Sequence, residues 1–406
     1  MSQIKDQYEA YPYPARDPAD EAKRLVMGSP SMPFEIDHFL FGGRRDWSTS
    51  FRVLVAGGGT GDGLIQIAQL MNGAGRDADI TYIDLSVASR EIAEARARAR
   101  GLTGITFLNG SLLTAPDLGQ FDYIDCCGVL HHLPEPQEGF DALAAAMAPQ
   151  GGMGMMVYAP YGRSGVYPLQ EALGALLRDL KPEKRLKAGR EIFAKTPPAH
   201  PFQLNPNLND HKRSDAGFYD LLLHTQDRAY GVADLAETLD RAGLGIASFT
   251  EPALYELERY LPPGFRLPKG FDRIQKMAMA ERLSGCMHKH TLYVTHRERA
   301  ASVSVTKVGN DDDIPHLRPD VSGSKFADVI ASGGTLNMNT RNGKLPISLP
   351  RPASRAVAAI NGARSLAQIR GGIGMNKSEF KRTWAAIDDE LRPWGLLHYT
   401  WLMHGK

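Results

Sequence analysis

The chain has 406 residues, 43% of them hydrophobic, with 47 Lys and Arg against 46 Asp and Glu for a formal charge of +1. That length supports two or three domains with real cores, and so small a net charge gives no overall field for nucleic acid or an anionic membrane. Three cysteines build no disulfide framework, no run of about 18 apolar residues offers a membrane span, and the polar, aromatic N-terminus is unlike a secretion signal, so the expectation is a cytoplasmic protein with neither membrane nor nucleic acid as partner.

Residues 1–48 read as an arm. Tyr8, Tyr11 and Tyr13 stand among Pro12, Pro14 and Pro18, and the prolines end any helix after Ala10. Rigid aromatics on an extended segment suit either a lid that covers a ligand and excludes water or simple packing on the sheet. Val53–Ala56 then reads as a buried strand. Gly57, Gly59 and Gly61 open a tight turn into a helix whose first face is Leu64, Ile65, Ile67, Ala68 and Leu70. Glycine leaves backbone open to close approach, and the helix start beyond it offers unpaired N–H groups to an anion. A dinucleotide fingerprint requires a further glycine five residues on. From Gly57, Gly59 or Gly61 that position holds Asp62, Leu64 or Gln66. No Gly-Lys-Ser/Thr follows, which argues against a triphosphate-binding loop.

A second strand over Ile80–Leu85 carries Asp84 near its C-terminal end, where a carboxylate suits two ribose hydroxyls. Ser86 is placed to cap the next helix, which holds the pairs Arg90–Glu94 and Glu94–Arg98 and ends near Gly101. A short strand at Thr106–Leu108 leads to Asn109-Gly110-Ser111, and a fourth, Phe121–Cys127, leads to Gly128-Val-Leu-His-His-Leu-Pro-Glu-Pro136. A helix over Gln137–Met147, a turn at Pro149–Gly152 and a strand over Gly154–Tyr158 complete the run. This alternation predicts an α/β fold: an open, mostly parallel Rossmann-like sheet with helices on both faces.

At these residues the chain resembles the class I S-adenosylmethionine-dependent methyltransferases. Leu-Val-Ala-Gly-Gly-Gly-Thr-Gly, Tyr-Ile-Asp-Leu-Ser, Gly-Val-Leu-His-His-Leu-Pro and Pro-x-Gly-Gly look like four of that family's motifs, over roughly residues 50–160. The resemblance implies S-adenosylmethionine as cofactor, bound along Gly57, Gly58, Gly59, Thr60 and Gly61. It implies the ribose at Asp84 and Leu85, the adenine beside Ser111 and Leu112, and the sulfonium near Cys127, Gly128 and Val129. Two positions depart from the pattern. Val55 stands where many members carry an acid, and Ser111 where many carry Asp. The turn Val-Ala-Gly-x-Gly-Thr-Gly, with Tyr8-Glu-Ala-Tyr-Pro-Tyr-Pro14, is similar to a bacterial subgroup with an N-terminal Tyr-Pro-Tyr-Pro arm. Methyl transfer needs acceptor and methyl held at near-attack distance. An alcohol, phenol or ammonium acceptor must also lose a proton, so His131 and His132 are candidate bases as well as candidates for packing their own loop.

Residues 49–298 are assigned to this domain, with an acceptor-selecting insertion at about 160–235. Leu169–Leu180 reads as a helix, Lys181–Arg190 as a basic solvated stretch and Thr196–Pro201 as a loop. Between Phe218 and Tyr230, Asp220, His224 and Asp227 recur at the spacing of one helical face. That face, with Tyr11, Tyr13, Tyr158, Tyr219 and Tyr230, marks a candidate acceptor pocket with His224 as a substrate contact, and the same subgroup has a similar Leu-His-x-x-Asp-Arg-x-Tyr element. A helix over Val232–Ala242 and strands over Ile246–Phe249 and His288–Thr295 follow. Cys286, His288 and His290 are too closely spaced for a tetrahedral site, and no metal is expected.

Residues 299–406 read as a separate small α+β domain. Val303–Gly323 is polar, with the acidic run Asp311–Asp313. Helices over Ala356–Ile360, Ser365–Arg370 and Lys377–Leu391, with a terminal strand or hairpin over Gly395–Trp401, resemble a winged helix and the C-terminal module of some protein-lysine methyltransferases. The whole reading is an enzyme that methylates a peptide or protein side chain or a small molecule. A nucleotide-dependent oxidoreductase and a non-catalytic binding or assembly protein of the same fold are its alternatives.

Overall fold

Alternation of side chains along the central strands builds a core on each face of one sheet. The computed structural model describes residues 2–305, 308–340 and 343–404. Helices α1 (Ser2–Ala10) and α2 (Pro33–Leu40) precede β1 (Phe51–Ala56), followed by α3 (Asp62–Gly73), β2 (Ala78–Asp84), α4 (Val87–Ala99), β3 (Ile105–Asn109), β4 (Phe121–Cys127), α5 (Pro136–Ala145) and β5 (Met147–Tyr158). Next come α6 (Val166–Leu177), α7 (Pro182–Phe193), α8 (Asp210–Arg213), α9 (Asp215–Leu222), α10 (Val232–Arg241), β6 (Leu244–Phe249), α11 (Arg273–Ser284) and β7 (Lys289–His296). The seven strands lie in the order β3-β2-β1-β4-β5-β7-β6. They are parallel as far as β5, and β7 runs antiparallel between β5 and β6. Val53 and Val55 pack with Leu64 and Ile67 of α3 and Ile36 and Phe39 of α2. Leu54 and Ala56 pack in the other core, with Phe140 and Leu143 of α5 and Leu235 of α10. The predicted α/β sheet is therefore present, and the loops after β1, β2 and β4 open together at its carboxyl edge, where such sheets bind ligands.

Several elements differ from the sequence reading. The arm contains α2, all eight of whose residues are buried. A helix with no polar face carries no amphipathic signal, although Pro33 at its first turn marks its start. Lys181–Arg190 is not a solvated stretch but part of α7, which buries Arg185, Leu186 and Gly189. Strand β5 begins at Met147, not Gly154, and its glycines give the neighbours room. A Cβ on Gly152 would lie 2.5 Å from a methyl carbon of Leu40.

The C-terminal residues hold β8 (Pro315–Leu317), α12 (Gly323–Ala331), β9 (Leu336–Thr340), β10 (Gly343–Ile347), α13 (Ala353–Ala358), α14 (Leu366–Ile373), α15 (Lys377–Leu391) and β11 (Leu397–Tyr399). Phe326, Val357, Ile369, Trp384 and Ile387 share a core of their own. Strands β9 and β10 form a hairpin, and β8 and β11 form a second antiparallel ribbon. Helix α12, strand β8 and the hairpin were not expected from the sequence. Among the described residues, no helix is long and apolar enough to cross a membrane.

Helix α2 is the seam between the two cores. Asp37 accepts from the Thr400 hydroxyl at 2.7 Å and the Trp401 N–H at 2.9 Å, and His38 Nδ1 accepts from the Tyr399 N–H at 3.0 Å. Glu35, one turn earlier, accepts from the hydroxyls of Ser29 at 2.9 Å and Tyr293 at 3.0 Å. Burial pushes its carboxyl up to about 7, against the pull of those two hydroxyls. The folded state thus keeps a proton that the unfolded chain has released, so this contribution to stability is full below 4.5 and is lost as pH rises to about 7. Glu35→Gln cannot titrate. Urea denaturation should show the variant gaining on the wild type by up to ~1.4 kcal/mol for each pH unit between pH 5 and 7. Parallel pH profiles for the two proteins would contradict this.

Candidate active site

The turn after β1 is bare backbone pressed on every side. Gly57, Gly59 and Gly61 have φ of +68°, +52° and +97°, which side-chain-bearing residues rarely adopt. A Cβ would lie 2.7 Å from the Val129 methyls at Gly57, 2.8 Å from the Tyr13 carbonyl oxygen at Gly59 and 2.9 Å from the Ala93 methyl at Gly61. At Gly58 it would run into the Tyr82 ring. Asp84, at the end of β2, accepts from the Gly59 N–H and the Ser86 N–H, both at 2.8 Å. Burial raises its pKa, and those two N–H groups oppose the rise.

A cavity of about 560 Å³ opens on this edge. Gly57, Gly58, Gly59, Asp84, Leu85, Ser111, Leu112, Cys127, Gly128 and Val129 line it, as do Tyr13, His132 and Tyr158. Thr60 and Gly61 do not. Thr60 turns away to donate to the Pro14 carbonyl at 2.7 Å, and Gly61 caps α3 against α4. Cys127, at the exposed end of β4, lines the cavity, and desolvation by the surrounding protein pushes its thiol up to about 12. It is therefore a thiol, not a thiolate, at neutral pH.

The arm closes the cavity through Ile4, Tyr8, Tyr13 and Pro14. Glu9 holds it down by accepting from the Val87 and Ala88 N–H groups, at 2.7 and 3.1 Å, at the start of α4. A carboxylate there satisfies free backbone donors and complements the helix dipole. Arg16 adds an ion pair to Asp62 at 2.6 Å. Tyr11 is not at the cavity. It stacks on Tyr219 with ring centroids 5.1 Å apart, outside the lining.

The acceptor side differs most from the sequence reading. Asp220, His224 and Asp227 do not share a helical face, because α9 ends at Leu222 and the chain turns. Residues beyond the turn are held by Arg228 N–H to the His131 carbonyl, 3.1 Å, and Tyr230 N–H to the Tyr158 carbonyl, 2.8 Å. Asp220 lines the cavity and accepts from the hydroxyls of Tyr8 at 3.1 Å and Tyr158 at 3.2 Å. Burial raises its pKa. Behind it the rings of His132 and His224 stack at 3.8 Å.

The backbone N–H and C=O of one residue, Gln226, fix both tautomers. His132 Nδ1 lies 2.8 Å from the Gln226 carbonyl and must donate to it, which leaves the lone pair on Nε2. His224 Nδ1 accepts from the Gln226 N–H at 3.1 Å, so its Nε2 carries the proton and donates to the Tyr8 oxygen at 3.3 Å. Ring nitrogens of His132 and His224 and an Asp220 oxygen lie within 4.8 Å of one another, but the tautomers leave one imidazole lone pair where a metal would need two. His131 does not reach the cavity. It is buried with neither ring nitrogen hydrogen-bonded, and burial holds its pKa well below the ordinary value. Tyr219 and His224 do not line the cavity: Tyr219 packs in a separate core with Phe218 and Leu222, His224 stacks on His132, and Tyr230 sits in the main core near Phe140.

Among the cavity residues that the sequence reading did not single out are Asp125 and Arg163. Arg163 stacks over Tyr158 at 3.6 Å and pairs with Asp227 at 2.8 Å, a contact between distant residues that no local spacing signals. Asp125 did leave a trace, a carboxylate inside the otherwise apolar strand Tyr-Ile-Asp-Cys-Cys.

This sheet, with a bare glycine turn after β1 and an acid ending β2, is the architecture of a class I methyltransferase domain. Residues 54–153 match the family model described as a methyltransferase domain, and the chain carries a class I S-adenosylmethionine-dependent methyltransferase domain there. An uncharacterized protein from Synechococcus sp. is 31% identical over 232 residues, 55% of this chain and 54% of that protein. The chain thus aligns with about half the length of this curated relative. PKMT2 from Rickettsia typhi shares the fold, with a TM-score of 0.60 at 16% identity over 91% of this chain and 75% of that one. Its structure in complex with AdoHcy gives 0.57 at 16% identity over 90% and 74%.

Glu9→Gln should loosen the arm without unfolding the sheet. The expected loss is ~1 kcal/mol of local stability, the usual scale for a helix cap, seen as faster proteolysis within the first 16 residues at unchanged global melting temperature. Equal cleavage rates in wild type and variant would show that Glu9 does not hold the arm.

Proposed function

We propose that this chain transfers the methyl group of S-adenosylmethionine to a side chain of a peptide or protein. The observation that carries the reading is the two-sided cavity. One wall is the glycine turn with Asp84 and the Cys127–Val129 loop, and the other offers the free Nε2 lone pair of His132 beside a buried carboxylate. When bound, the cofactor supplies a methyl group made electrophilic by its sulfonium. Asp84 has lone pairs left for ribose hydroxyls, and Ser111 and Leu112 flank the space for the adenine. His132 Nε2, whose lone pair is free and which has Asp220 beside it, accepts the acceptor's proton. Tyr8, Tyr13 and Pro14 exclude water, so the arm acts as a lid. A peptide or protein acceptor is supported by the fold shared with PKMT2, whose extent is too great to leave out residues 299–406.

Calorimetry should show S-adenosylhomocysteine binding at micromolar strength and no NAD binding. Asp84→Ala should weaken that binding roughly tenfold or more, the scale of hydrogen bonds to a charged group. Unchanged affinity would reject the ribose role. At saturating cofactor, His132→Ala should slow methyl transfer roughly 10²- to 10⁴-fold, while His131→Ala mainly lowers the melting temperature by opening a buried hole. A His132→Ala enzyme with full turnover would remove the base from this mechanism. Tight cofactor binding without transfer to any acceptor would favour the non-catalytic alternative.

A further inference from the structure

We propose that Asp125 binds the ammonium group at the amino-acid end of the cofactor, in place of the acid that β1 lacks. The inference rests on the S-adenosylmethionine reading above. Strand β1 ends Val-Leu-Val-Ala and brings no charge to the cavity. In the sheet, Val55 is the register partner of Asp125 on β4, and both side chains line the cavity. Asp125 is 3% exposed. Its Oδ2 accepts from the Ser31 hydroxyl at 2.6 Å and lies 3.3 Å from the Tyr123 hydroxyl, whose one proton is shared with the nearer Pro30 carbonyl at 2.9 Å; both neighbours are neutral. Its Oδ1 faces Gly63, where an added Cβ would lie 2.9 Å away.

Other acids of this wall are committed elsewhere. Asp62 pairs with Arg16 at 2.6 Å and Arg96 at 2.8 Å, and Asp84 takes two backbone N–H groups. Among the described residues, no ion pair reaches Asp125. A carboxylate kept this deep without a cation is costly unless a ligand brings one. Position selects which part of the ligand that is. β2, with Asp84, and β4, with Asp125, flank β1 on opposite sides. A ligand laid across the glycine turn with its ribose at Asp84 extends its other end over β4. For an adenosyl amino acid, that end carries the ammonium.

Two ligands separate this subsite from the rest of the cavity. S-adenosylhomocysteine has the amino-acid end, and 5′-methylthioadenosine keeps the adenosine but lacks it. In calorimetry, Asp125→Asn should weaken S-adenosylhomocysteine binding roughly 10- to 100-fold and leave methylthioadenosine within about twofold. Gly63→Ala, which sets a methyl against Asp125 Oδ1, should show the same selective loss and serves as a second probe should Asp125→Asn fold poorly. Equal losses for both ligands, or none for either, would overturn the proposal. A wild-type protein that binds neither ligand would overturn the cofactor reading beneath it.

Discussion

The turn from Gly57 to Gly61 is the constraint on which the rest of the molecule depends. It must be bare for two reasons at once. Its positive φ values exclude ordinary side chains, and its neighbours leave no volume for one. Tyr82 closes on it from β2, Val129 from the loop after β4, and the Tyr13 carbonyl from the arm. A ligand at the carboxyl edge of the sheet therefore meets backbone directly and is enclosed by segments whose own positions depend on that bareness. The same contacts explain why the arm belongs to the site although its sequence is remote from it.

The acceptor side is held by hydrogen bonds rather than by apolar packing. Tyr8 from the arm and Tyr158 from the end of β5 meet on one carboxylate, and the backbone of Gln226 sets two imidazoles in opposite tautomers. Such a network keeps one basic nitrogen free in a dry place, where its lone pair is not quenched by water. Helix α1 reaches both halves, since Tyr8 touches Asp220 while Glu9 grips α4 beside the ribose strand. The arm thus ties the two sides of the cavity together through adjacent residues.

The C-terminal residues keep a core of their own, yet they are stitched to the sheet through α2. That helix has no solvent face, so its polar groups must find partners inside. Asp37 and His38 find them on the strand and turn at Tyr399–Trp401. Buried ionisable groups at this seam tie its stability to their protonation, which an apolar junction would not do.

The sequence by itself determined the central sheet and brought together the glycine turn, Asp84 and the loop after β4 that line one side of the cavity. Both rest on local rules: strand and helix periodicities, glycines where the chain turns sharply, and an acid at a strand end, as at Asp84. It misjudged what depends on partners distant in the chain. Asp220 and His224 meet through a turn rather than along a helix, because the ends of their segment are fixed by Tyr158 and His131. His131 and His132 are adjacent in sequence, yet one is sealed in the loop and the other lines the cavity, a distinction set by the register of Gln226. Helix α2 was invisible because total burial erases the amphipathic pattern. Asp125 became legible only when pairing of β1 with β4 set it beside Val55, since strand neighbours are chosen by the sheet as a whole and not by the residues on either side.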